Sequence, residues 1–130
     1  MGAFNNHSIA IATDGTAYGF GANNTTQLSS VGELYITKPT AITLLKGAKH
    51  VSCCLDYTLA CLGDGTVIVG GAAYYGQLGD GTYGSNPLYL KKNTKISNVK
   101  KVSGGSYHSL FIINDGTVKS CWAYRDWETC

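Results

Sequence analysis

Apolar residues in this chain fall in short runs bounded by turn residues, and no stretch carries them convincingly at helical spacing. Ile9 to Ala12, Leu59 to Leu62 and Leu110 to Ile113 read IAIA, LACL and LFII, and each is followed by an Asp-Gly-Thr. A second run then begins with that threonine, as TAYGFG, TVIVGG and TVKSCW. Asp-Gly between apolar runs predicts a hairpin, read here as a two-residue turn with φ > 0 at both central residues. Continuous apolar runs bounded by turn signals predict strands buried on both faces. KHVS, residues 49 to 52, and KKVS, residues 100 to 103, add a third short strand ahead of two of the hairpins. KPTAITLLKGAKH, residues 38 to 50, comes nearest to a helical pattern. Pro39 and the Thr-rich, β-branched composition predict an extended connection there instead.

The pattern repeats. Asp14-Gly15, Asp64-Gly65 and Asp115-Gly116 are separated by 50 and 51 residues. Gln27-Leu28 and Gln77-Leu78 each lie 13 residues beyond an aspartate of that series, and His7, Tyr57 and His108 each lie seven before one. A hydroxyl residue follows every one of those rings: Ser8, Thr58 and Ser109. Several features in one register mark an internal repeat, and a period near 50 made of three or four short strands fits a propeller blade. The predicted fold class is all-β, a partial β-propeller, with units at 1–50, 51–101 and 102–122. At the repeated ring position a side chain is expected to make a blade-to-blade hydrogen bond. Asp80-Gly81, in GQLGDGT, stands outside this register and reads as a connecting turn. Its glycines lack the following helix and the lysine that a phosphate cradle requires.

KKVSGGSYHSLFIINDGTV, residues 100 to 118, together with GQLGDGT, residues 76 to 82, resembles the regulator of chromosome condensation repeat family. Val102, Gly104-Gly105, His108-Ser109, Leu110, Asp115-Gly116 and Val118 match its unit in one copy, and Gly76-Gln77-Leu78-Gly79 in another. The resemblance covers roughly residues 2 to 122. The family's Trp-Gly pair is replaced by Phe20-Gly21, Gly70-Gly71 and Cys121-Trp122, which marks a divergent member. Kelch repeats compete through Gly70-Gly71, a pair the first and third units lack. The resemblance implies a seven-bladed ring, of which this chain supplies about two and a half blades, beginning and ending inside a unit. It also implies a non-catalytic protein-interaction scaffold. The alternatives are a guanine-nucleotide exchange factor for a small GTPase, or an extracellular or phage surface-recognition repeat. YRDWETC, residues 124 to 130, abandons the pattern; residues 123–130 read as a non-repeat tail, either native or foreign to the protein.

Composition narrows the classes. Across 130 residues only 14% are charged and the net charge is +2, against roughly 25% charged for an average domain. Lysines are scattered, so the concentrated footprint of a nucleic-acid binder is missing. No apolar run reaches the ~18 residues of a membrane span, and the first residues lack the basic and apolar regions of a signal peptide. The five cysteines show no C-x-x-C spacing, which disfavours a structural metal site. They read as small buried hydrophobes, and free thiols without a signal peptide favour a cytoplasmic setting weakly. His7 and His108 are one repeat position and read as architecture, and the three turn aspartates are explained by the turn. No catalytic, cofactor or metal residue is therefore expected. Tyr74, Tyr75 and Tyr83, in one loop, are the candidates for contact with a protein partner. An arc of two or three units also leaves apolar end faces, so the isolated chain is expected to self-associate.

Overall fold

The computed structural model describes residues 2–4, 6–28, 33–81 and 84–122; the expected non-repeat tail and Tyr83 lie outside them. Among the described residues, eleven strands form three antiparallel sheets, each an up-and-down meander. Sheet 1 is β1 (Gly2–Phe4), β2 (His7–Ile11), β3 (Ala17–Ala22) and β4 (Tyr35–Ala41), paired in that order. Sheet 2 repeats it with β5 (Ala48–Cys53), β6 (Tyr57–Leu62), β7 (Val67–Ala73) and β8 (Ser85–Lys92). Sheet 3 is β9 (Val99–Gly104), β10 (His108–Ile113) and β11 (Val118–Trp122). This is a nearly all-β arc of propeller blades.

The stretch expected to be an extended connection is more than that. Its first residues close sheet 1 as part of β4, and Thr43–Leu45 then form one 3-10 turn before β5. Both prolines of the chain, Pro39 and Pro87, sit on β4 and β8. These strands are the outer edges of their sheets, where a residue without an N–H removes no ladder bond.

The Asp-Gly turns differ from the expected two-residue form. Ala12 N–H donates to Thr16 C=O at 2.8 Å and Gly15 N–H to Ala12 C=O at 3.0 Å, which closes a loop of three residues. Leu62 to Thr66 and Ile113 to Thr117 repeat both bonds. Only the glycines take the left-handed region, at φ +86°, +88° and +90° for Gly15, Gly65 and Gly116; the aspartates do not. The carboxylate explains the difference. Oδ1 of Asp14, Asp64 and Asp115 accepts the N–H two residues on, at 2.9, 2.9 and 2.8 Å, which sets up an Asx turn ahead of the glycine.

Two apolar clusters hold the sheets face to face. Ile9, Ala17 and Leu28 of the first repeat pack with Ala48, Val51, Ala60 and Ile68 between sheets 1 and 2. Tyr57, Leu59, Val67 and Val69 pack with Val99, Val102, Phe111 and Cys121 between sheets 2 and 3. Each fully buried Leu, Ile, Phe or Val contributes about 1.5–3 kcal/mol relative to exposure. Burial on both faces, expected for all three apolar runs, holds only in sheet 2. There β6 and β7 are buried almost throughout, whereas β2 and β10 alternate. Among the described sheets, sheet 2 alone has a neighbour on either side.

Candidate functional site

The repeated ring, hydroxyl and glutamine positions meet at the two seams between sheets. His7 Nε2 lies 2.9 Å from Thr58 Oγ1, and Thr58 donates its hydroxyl to the Gln27 carbonyl at 2.8 Å. A threonine has one hydroxyl proton, already committed to Gln27. His7 must therefore donate from Nε2–H, which leaves Nδ1 bare. That Nδ1 is buried without a partner. A second proton would have no acceptor, and burial holds the His7 pKa down to about 4.

The next seam carries the same arrangement with a phenol. Tyr57 donates its hydroxyl to the His108 carbonyl at 2.5 Å, and Ser109 donates to the Gln77 carbonyl at 2.6 Å. The two hydroxyl oxygens are 3.2 Å apart. Burial raises the phenol pKa well above its ordinary value, so it remains a donor. The glutamine side chains turn back to brace their own loops. Gln27 Oε1 accepts Thr25 N–H, and Gln77 Oε1 accepts Tyr75 N–H, both at 2.9 Å. Leu28 and Leu78 are fully buried beneath them.

Gly71 lets the chain pass close to this seam. Its φ is +105°, and a Cβ there would sit 2.5 Å from the Asp56 carbonyl oxygen and 2.6 Å from Tyr57 Cα. Gly21 holds the same conformation in sheet 1. Asp80, from the second Asp-Gly, pairs with Lys91 Nζ at 3.0 Å and ties its loop to β8.

No cluster of three His, Cys, Asp or Glu that could hold a metal occurs among the described residues. Cys53, Cys54 and Cys61 are free and buried. Burial pushes Cys53 up to about 12 and Cys54 to about 11, so neither is a thiolate at neutral pH. Cys121 departs from the expectation that the cysteines only pack: it is buried in the second cluster but disulfide-bonded. Asp14, Asp64 and Asp115 are held below the usual carboxylate range, chiefly by hydrogen bonds from Thr16, Thr66 and Thr117. Such carboxylates stay ionised and cannot serve as proton donors near neutrality. A cavity of about 260 Å³, lined in part by Leu28, Ile42, Leu44 and Leu90, holds no ionisable side chain.

Among the described residues, the exposed tyrosines other than Tyr89, which lies on β8, stand at the loop end opposite the Asp-Gly turns. Tyr74 and Tyr75 follow β7 and are exposed, as is Tyr107 just before β10. The Tyr75 and Tyr107 rings meet edge to face with centroids 4.8 Å apart, joining a loop of sheet 2 to a loop of sheet 3. Tyr107 was not visible as a partner of Tyr75 in sequence, since neither their separation nor the repeat register pairs them. Leu34 and Tyr35, at the corresponding end of sheet 1, are also strongly exposed. Among the described residues, no helix is long and apolar enough to cross a membrane.

Comparison with known proteins gives consistent results. The Regulator of chromosome condensation (RCC1) repeat profile matches residues 64–112, a span that runs from the second hairpin through β10 and so straddles the seam between sheets 2 and 3. Protein pim1 of Schizosaccharomyces pombe is 33% identical over 148 aligned residues, covering 98% of this chain and 28% of that protein. The X-linked retinitis pigmentosa GTPase regulator of Homo sapiens is 32% identical over 114, covering 85% and 11%. Among solved structures, Prp20p from Saccharomyces cerevisiae, described with its binding properties to Gsp1p and histones, superposes with a TM-score of 0.80 at 20% identity. That superposition covers 98% of this chain and 31% of Prp20p. The chain thus spans less than a third of each.

Proposed function

Since the chain belongs to the regulator of chromosome condensation (RCC1) repeat family and forms three consecutive blades of its propeller, we propose that it is a non-catalytic protein-interaction scaffold. The partner is a protein held at the loop end marked by Tyr74, Tyr75 and Tyr107, with Tyr83 of the same loop taking part. The observation that carries this reading is the exposed Tyr75–Tyr107 pair, which joins the loops of two sheets also linked by the Tyr57–His108 and Ser109–Gln77 hydrogen bonds. Large amphipathic rings with few rotatable bonds, displayed on a rigid base, lose little entropy on binding and favour interfaces.

The test is affinity capture from cells with the wild-type chain and a Tyr75→Ala/Tyr107→Ala variant, read by quantitative mass spectrometry beside a melting curve for each. A protein retained by the wild type and depleted at least about tenfold by the variant, at unchanged melting temperature, is the expected result. Equal retention by both would refute the loop-end assignment. A second reading, nucleotide exchange on a small GTPase, draws on the name of one relative, a GTPase regulator. It predicts faster release of labelled GDP from a cognate small GTPase, and an unchanged release rate for the full-length protein would count against it.

A further inference from the structure

Lysines that lie scattered along the chain gather in the fold. Every described lysine except Lys38 stands at the end of the arc that carries the Asp-Gly turns, in the near half of a strand or in the connection beside it. Most of them have a carboxylate close by. Lys91 pairs with Asp80, Lys95 reaches over the next residue, Gly81, and Lys46, Lys92 and Lys119 are the cations that act on Asp14, Asp64 and Asp115. Among the described residues, Lys49, Lys100 and Lys101 meet no carboxylate at ion-pair distance. These three sit on β5 and β9, which pack side by side at the hub of the arc. A β-bulge in each strand turns them outward. The pairing of β5 with β6 shifts between Ala48 and His50, and that of β9 with β10 between Val99 and Lys101, so Lys49 and Lys100 are the extra residues. Buried positions are then three apart, at Ala48 and Val51 and at Val99 and Val102, and the pairs between them leave the core: Lys49 with His50, Lys100 with Lys101. Sheet 2 has a sheet packed on both of its faces and Lys49 is exposed all the same, so this opening does not depend on where the chain begins or ends.

We propose that the two bulges form a binding site for a compact multivalent anion of the polyphosphate class, held at the hub by Lys49, Lys100 and Lys101. Each ammonium is a point charge with three donors on a flexible stem, and suits phosphate oxygens presented from several directions. An extended polyanion fits less well. Nucleic acid laid over this end would run across Asp14, Asp64 and Asp115, which are exposed and ionised. Neither β5 nor β9 carries a Phe, Tyr or Trp on which a base could stack. The site lies at the opposite end of the sheets from Tyr75 and Tyr107 and is independent of the protein partner assigned there.

The probe is sodium tripolyphosphate, titrated calorimetrically into the full-length protein in about 0.15 M salt, where charges more than ~8 Å away are largely screened. The wild type should bind it saturably. Lys49→Gln/Lys100→Gln should weaken binding at least about tenfold, the equivalent of one charge-assisted hydrogen bond. Lys46→Gln/Lys92→Gln removes the same charge from the same end and should change it by less than about threefold. All four side chains are exposed, so both variants keep the fold, and a melting curve for each checks it. No saturable binding by the wild type would overturn the proposal. Equal weakening by the two variants, the mark of a diffuse counterion effect only, would overturn it as well. So would a single-stranded oligonucleotide that binds more tightly than tripolyphosphate and loses affinity alike in both variants, which would give this end to nucleic acid.

Discussion

Thr58→Val tests the seam between sheets 1 and 2 most directly, because valine keeps the shape of threonine and removes only the hydroxyl. The structure says what that hydroxyl does. It donates to the Gln27 carbonyl at 2.8 Å and receives His7 Nε2–H at 2.9 Å, at a position with no solvent exposure. After substitution a buried acceptor and a buried donor lose their partners together. Each such loss costs about 1–3 kcal/mol, and coupling between the two places the sum at about 2–4 kcal/mol. With an unfolding entropy of about 2.1 cal/mol/K per residue, the middle of that range lowers the melting temperature of the 130-residue chain by roughly 10 °C. Urea denaturation at pH 7 gives the free energy, and Thr58→Ser is the control. It keeps the hydroxyl and loses one methyl, a cost of about 1 kcal/mol. A His7→Phe background completes a double-mutant cycle, in which Thr58→Val should cost at least about 1 kcal/mol less than in the wild type. If Thr58→Val falls within about 0.5 kcal/mol of the wild type, or if valine and serine are equivalent, the hydroxyl does not link the sheets.

Three further outcomes follow from the same geometry. His7 is neutral in the fold, with its pKa held at about 4 against an ordinary 6.5, so between those values the unfolded chain binds more protons. Stability should be undiminished by His7 above pH 6.5 and fall as pH drops toward 4, by at most about 3 kcal/mol; a pH series of urea midpoints that His7→Gln fails to flatten would refute this. Gly71→Ala places a Cβ against the Asp56 carbonyl at φ +105° and should cost more than about 2 kcal/mol. Gly47→Ala, at φ +84° with open space around it, should cost only the backbone strain, about 1–2 kcal/mol, and equal losses would remove the steric argument. Leu59→Ala should cost about 2–5 kcal/mol. Its counterpart Leu110→Ala, already 40% exposed, should cost under about 1 kcal/mol in the monomer, so similar melting curves for the two variants would contradict the arc.

The chain by itself determined the period, the all-β character and the positions that matter within a unit. Asp-Gly-Thr with apolar flanks is local information: turn chemistry and β-propensity act over a few residues, and repetition at 50 and 51 residues makes the signal unmistakable. The ring, hydroxyl and Gln-Leu positions stand out for the same reason. A period has no phase, however. Unit boundaries drawn at 50/51 and 101/102 fall inside β5 and β9, within three residues of where sheets 2 and 3 begin.

Tertiary structure decided what depends on neighbours. The edge strands β4 and β8 carry weak patterns of their own, since one side of each meets no further strand. The three-residue turn form emerged from the Asp carboxylate binding its own backbone, which competes with the two-residue form that Asp-Gly also allows. Above all, His7, Tyr57 and His108 occupy one repeat position, yet two are sealed and one is open. Burial belongs to the stack of sheets and not to the residue: a side chain becomes core only when the next sheet arrives to cover it.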